Sequence, residues 1–215
     1  MRSLFEGCYE AHRAAALSGV PQSTLYDWAR KSVVLPSVSQ ERPKLWSYAD
    51  LMALRIVYWL RHPKVDADIP ASPMSQVRSA LESLDADGVD LWNPGPDGHY
   101  TPLRIDRSGQ VFISDPTGPR DHAGQSVLPH VLDLLGPFDT GDAWGPDLRQ
   151  PMPHLRIVPG KVSGEPHLEH SRLTTLAVAA LDRRGFTITD IANLYPEENV
   201  EALREAIDLE HRLAA

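Results

Sequence analysis

Two short helices held apart by a glycine and a proline constrain this chain more than any other stretch. The spacing predicts a first helix over Tyr9–Leu17, a break at Ser18-Gly19-Val20, and a second helix over Pro21–Lys31. Gly19 can take the positive φ that a left-handed helix end needs. Pro21 suits a first helical turn, where a missing N–H costs nothing. Ala15, Val20, Leu25 and Trp28 are spaced to meet in one small core, which leaves Gln22, Ser23, Thr24, Tyr26, Asp27 and Arg30 outward. That is helix-turn-helix geometry, in which a second helix offers polar side chains to base edges in a major groove.

Charge along the chain agrees with this expectation. The formal net charge is −8, which taken whole argues against a polyanionic partner. Residues 1–65, however, carry nine Lys and Arg against five acids, whereas the other 150 residues carry twelve against 24. A basic head for a phosphate backbone and an acidic body for a protein partner would produce that asymmetry. No run of 18 apolar residues exists and no apolar signal core opens the chain, so we expect neither a membrane span nor export, and a cytoplasmic location. The single cysteine, Cys8, excludes a disulfide framework and a multi-cysteine zinc site.

Beyond Lys31, Val33-Val34-Leu35-Pro36 and Lys44-Leu45-Trp46-Ser47 flank a polar loop, a pattern that predicts a small β-wing with Arg42 and Lys44 near phosphate. Ser47 and Asp50 form a capping-box pair for a helix from Tyr48 to about Arg61, ended by His62-Pro63. The run from Ala15 to Arg30, with Val34-Leu35-Pro36-Ser37-Val38 and Leu45–Arg55, resembles the MerR-type winged helix-turn-helix over about residues 9–61. That resemblance implies DNA contacts from Gln22, Ser23, Thr24, Tyr26, Arg30, Lys31, Arg42 and Lys44. The effector cysteines of metal-sensing members are absent, so neither a metal nor another cofactor is expected.

The middle of the chain is less specific. Residues 63–73 read as a proline-rich linker, and Ser75–Leu84 as a helix with Val77, Ala80, Leu81 and Leu84 on one face. Leu103–Asp106 and Gln110–Ser114 alternate across Arg107-Ser108-Gly109, a β-hairpin signal. Ser126–Leu135 reads as a short apolar helix stopped by Gly136-Pro137, and 136–153 as a second connection.

Toward the C-terminus, Leu155–Val158 reads as a short strand or extended lead-in and Thr174–Arg184 as a helix closed by Gly185. Thr187-x-x-Asp190 is a capping box opening a short helix to Leu194, and a final helix runs to about Leu213 with Val200, Leu203, Ala206, Ile207, Leu209 and Leu213 on its buried stripe. Val162–Leu168, Ser171-Arg172-Leu173, Arg184–Pro196 and Val200–Ile207 resemble the small three-helix domain of VapB-like antitoxins, over about residues 155–213. The overall expectation is a mainly α chain with small β elements (α+β). It comprises a winged helix-turn-helix over 1–86, a spacer or dimerisation region over 87–150, and a three-helix, helix-turn-helix-like domain over 151–215.

The final helix carries Glu197, Glu198, Glu201, Glu205, Asp208 and Glu210 against Arg204 and Arg212, so facing a duplex it would be repelled. DNA therefore falls to the basic head and protein contact to the tail. The resemblance implies an antitoxin that binds operator DNA as a homodimer, represses its own operon and neutralises a PIN-domain ribonuclease. Arg172, Arg183 and Arg184 are candidates to pair with that toxin's metal-binding carboxylates, and Glu201 and Glu205 to cover its basic groove. The alternative is a dimeric MerR-like transcription regulator without a toxin. Glu165-x-His167-x-Glu169-His170 can be read as metal ligands, but it lies on a loop without helical i, i+4 pairing. We therefore expect no enzyme.

Overall fold

The computed structural model describes residues 7–63, 70–79, 103–105, 111–113, 130–131, 135–139 and 143–214. It is mainly helical with short antiparallel strands, an α+β fold. The chain forms two compact units, one of Met1–Leu51 with Gly136–Ala215 and the other of Met52–Leu135. The two chain ends, which sequence patterns assign to separate domains, thus share one unit.

In the first unit, Tyr9–Glu10 is not the opening turn of a helix. It is a strand, β1, paired antiparallel with β2 at Leu45–Trp46 in the register Tyr9↔Trp46 and Glu10↔Leu45. Helix α1 follows at Ala11–Ser18 and ends where expected: Gly19 sits at φ 74 and donates its N–H to the Ala15 carbonyl at 2.9 Å. Helix α2 runs Gln22–Arg30 with Pro21 as its N-cap. Ala15, Val20, Leu25 and Trp28 are all buried, so α1 and α2 close over the small core that their spacing implies.

The wing is rearranged. Its outgoing arm pairs with β1, while the loop closes on itself by one antiparallel bridge, Ser39 with Leu45. The incoming arm at Val33–Pro36 forms no strand, and its Val34 and Pro36 are buried instead. Ser47 and Asp50 make the expected reciprocal cap: the Ser47 N–H donates to Asp50 at 2.8 Å and the Asp50 N–H to Ser47 Oγ at 3.2 Å. Helix α3, Tyr48–Arg61, starts there.

In the second unit, residues 74–79 are helical (α4), with Val77 fully buried. The rest of that predicted helix, Ala80–Leu84, and the turn Arg107-Ser108-Gly109 lie outside the described residues. Strands β3 (Leu103–Ile105) and β4 (Val111–Ile113) form the expected hairpin pair, with Leu103↔Ile113 and Ile105↔Val111 opposite one another. Ser126–Leu135 is not a helix where it is described. His130–Val131 is β5, the third strand of the sheet β4-β3-β5. A short apolar run does not distinguish helix from strand, and Pro129 removes the N–H and the backbone freedom that a helix through it would require.

The first unit resumes with a hairpin inside the stretch read as a connection, β6 (Phe138–Asp139) with β7 (Trp144–Gly145). Strands β8 (Leu155–Arg156) and β9 (His167–Leu168) pair around a 3-10 turn at Val162–Gly164. Helices α5 (Thr175–Asp182), α6 (Ile188–Leu194) and α7 (Val200–Ala214) complete the unit. Thr187 and Asp190 form the full capping box of α6. Leu155, Leu168, Val178, Ile191, Leu203, Ala206 and Leu209 make the core of this region. Among the described residues no helix is long and apolar enough to cross a membrane.

Candidate functional site

Helix α2 has two faces of opposite character. Leu25, Trp28 and Ala29 are buried, and Gln22, Ser23, Tyr26 and Arg30 are exposed, with Thr24 and Asp27 half-buried between them. The Tyr26 ring stands edge-on to the buried Trp46 of β2, 6.1 Å between centroids, which ties the outer face of α2 to the base of the 37–44 loop. On that loop Arg42 is exposed, whereas Lys44 is half-buried and donates Nζ to the Gln40 carbonyl at 2.8 Å.

The basic end of α2 is not free. Asp27 takes Arg30 Nη2 on one oxygen at 2.5 Å and Lys31 Nζ on the other at 2.7 Å. The hydrogen bond from Lys31, then that from Arg30, holds its carboxyl below the usual range. Three charges therefore sum to +1 at the place where the sequence suggests +2. Asp27 is legible as an outward residue, and its i, i+3 and i, i+4 spacing to Arg30 and Lys31 is the signal for this clamp.

The C-terminal candidates divide into two groups. Arg172, Arg183 and Arg184 are exposed, and among the described residues none pairs with an acid. Arg184 borders an open depression shared with Gly185, Phe186, Asp190, Asn193 and Leu194, of which Phe186 and Leu194 are large apolar side chains left exposed. The two glutamates are already engaged. Glu201 pairs with Arg204 at 2.6 Å, and Glu205 accepts the His154 backbone N–H while its other oxygen lies 2.8 Å from His154 Nδ1.

A buried charge cluster, absent from the sequence-based expectations, joins the two ends of the chain. Arg13 of α1, 5% exposed, donates Nη1 and Nη2 to the two oxygens of Glu210 on α7, at 2.9 and 2.8 Å, and Nε to Glu165 at 2.8 Å. The buried Thr175 hydroxyl also donates to Glu210. Burial alone would lower the Arg13 pKa, but these carboxylates outweigh it and hold the guanidinium charged. Burial pushes Glu165 up, against the pull of Arg13. Alongside, the buried Tyr9 hydroxyl donates to the Gly164 carbonyl at 2.8 Å, and the Cys8 N–H to the Ser163 carbonyl at 2.9 Å. Glu210 lies three and four positions from Ile207 and Ala206, beside the apolar stripe of its helix, which is the cue that could have marked it as buried.

The loop considered for metal ligation is dispersed. Glu165 serves Arg13, Glu169 pairs with Arg156 at 2.5 Å, and His170 is exposed. His167 is fully buried with Nδ1 2.9 Å from the Glu165 carbonyl, and burial pushes its pKa down. Among the described residues no three His, Cys, Asp or Glu side chains converge as a metal site.

These features define two short helices, α1 and α2, joined by a tight turn at Gly19 within a mainly helical α+β unit. No protein-family model matches the chain, and no curated protein sequence matches it. Among solved structures it is similar to the crystal structure of Rv2018 from Mycobacterium tuberculosis, at 17% identity over 93% of this chain and 96% of that one, with a TM-score of 0.49. A likeness of that degree says nothing of function.

Proposed function

We propose that the protein is a DNA-binding antitoxin that grips operator DNA with α2 and the 37–44 loop, as a homodimer, and neutralises a PIN-domain ribonuclease through its C-terminal helices. The observation that carries the DNA half is the two-faced α2, anchored by Leu25, Trp28 and Ala29 while Gln22, Ser23, Tyr26 and Arg30 stand outward. For the toxin half, the support is the exposed Arg183 and Arg184 beside the uncovered Phe186 and Leu194, a set that suits an acidic cleft with an apolar rim. A dimeric regulator without a toxin is the second reading. It is favoured by the Arg13–Glu210 contact, which makes the helix-turn-helix and the C-terminal helices parts of one unit.

Arg30→Ala with Lys31→Ala tests the head. The double variant should weaken binding to every duplex and lower the salt slope by about one log–log unit for each phosphate no longer neutralised. An unchanged slope overturns the assignment. Co-expression with any nuclease found to be encoded beside this gene separates the two readings: a complex on size exclusion that Arg183→Glu with Arg184→Glu disrupts supports the antitoxin. If the full chain and the nuclease elute apart, the regulator stands alone. The full chain is the right material, because a fragment beginning near residue 151 would strand Glu210 and Glu165 without Arg13.

A further inference from the structure

We infer that Asp27 is a specificity-determining residue of the α2 surface: its carboxylate holds Arg30 and Lys31 back from indiscriminate phosphate contact and yields them where a base edge offers it an amino group. The inference rests on the reading of α2 as the DNA surface. Three observations carry it. Both basic side chains at the end of α2 close on the two oxygens of one carboxylate, at 2.5 and 2.7 Å. The cations are otherwise open to solvent, 76% and 62% exposed, so a phosphate can reach them. Gln22, Ser23, Tyr26 and Arg30 follow one another at helical spacing on the exposed face, and the half-buried Asp27 sits at the edge of that face, within reach of the surface that would meet bases.

Competition follows from electrostatics. A phosphate that takes Arg30 or Lys31 from Asp27 leaves an anion beside an anion, and every duplex, whatever its sequence, carries that penalty. Relief requires a donor for the abandoned carboxylate. In the major groove the exocyclic N4 amine of cytosine is the natural donor to an acidic side chain, so the penalty is lifted at some sequences and not at others. Repulsion against wrong sites, rather than added attraction to the right one, then does much of the discrimination.

Asp27→Asn keeps the shape and removes the charge. Binding of the full-length protein to a random-sequence duplex is followed by fluorescence anisotropy across a salt series, and sites are selected from a randomised pool by wild type and variant. The expected result is tighter binding of Asp27→Asn to the random duplex, by about tenfold at low salt, with a slope steeper by about one unit. The wild-type pool should hold a fixed cytosine at one position where the variant's pool relaxes. Adding Arg30→Ala and Lys31→Ala to Asp27→Asn should abolish the gain. Unchanged affinity and slope for Asp27→Asn overturn the inference, as does an unrelaxed pool. If Arg30→Ala with Lys31→Ala also leaves the wild-type slope intact, the DNA surface itself is misplaced. If that pair lowers the slope and Asp27→Asn does nothing, only the role of Asp27 fails.

Discussion

Arg13→Ala is the most informative single change. The wild-type guanidinium, 5% exposed, makes three hydrogen bonds to two carboxylates, all between 2.8 and 2.9 Å. Truncation leaves Glu210 with the Thr175 hydroxyl as its remaining side-chain donor and leaves Glu165 facing a second anion. Removing one partner of a buried pair costs about 3–5 kcal/mol, a large share of the roughly 5–15 kcal/mol that holds a typical domain together. We expect a destabilisation of about 4 kcal/mol at neutral pH, read by urea unfolding with tryptophan fluorescence, since Trp28 and Trp46 are buried in the same unit. The pH dependence gives a second check. Burial already raises Glu165 in the folded state, and Arg13 pulls it down; without Arg13 it must rise further. A raised carboxyl favours the protonated folded form, so the deficit of the variant is largest above the folded pKa and shrinks as pH falls through it. Arg13→Met combined with Glu165→Gln and Glu210→Leu removes all three charges and should recover most of the stability. A deficit below about 1 kcal/mol, or one that grows on acidification, refutes the reasoning.

Two further outcomes are expected. A Cβ at Gly164, where φ is +81, would lie 2.1 Å from the Tyr9 hydroxyl, so Gly164→Ala should cost about 3 kcal/mol or more in thermal melts. Gly185→Ala, at φ +86 with nothing within 4 Å, should cost about 1 kcal/mol from backbone strain alone; equal costs would contradict the packing described here. Burial lowers the pKa of His167, so the unfolded chain binds its proton more readily and stability falls as pH drops below about 6.5; His167→Phe should flatten that part of the pH–stability curve, and an unaltered curve would assign the effect elsewhere.

Local signals carried the helices and their ends. Gly19 and the two capping boxes, Ser47 with Asp50 and Thr187 with Asp190, act within a few residues of themselves, and each appears in the structure as the sequence implies. What escaped is what depends on distant partners. Tyr9-Glu10 is a strand because Leu45-Trp46 lies beside it, and the helical look of the stretch after Ser126 yields to a sheet position supplied by Leu103–Ile105. At the candidate site the exposed side of α2 was legible from residue types and spacing, but the state of its charges was not. Counting bases gives Arg30 and Lys31 as two free cations; their i, i+3 and i, i+4 spacing to Asp27 hints at pairing, and the structure puts both on its carboxylate. Glu205 likewise reads as an available acid and is a strap for His154.

The Arg13–Glu210 pair spans 197 positions of sequence, and this sets a clock on synthesis. A ribosome must add the 197 positions that separate Arg13 from Glu210 before α1 meets that carboxylate, and such distant closures are slow to find. Products terminated before Glu210 would carry every residue of α1 and α2 yet lack the carboxylate that seats them, so making these helices and fixing them in place are separated in time.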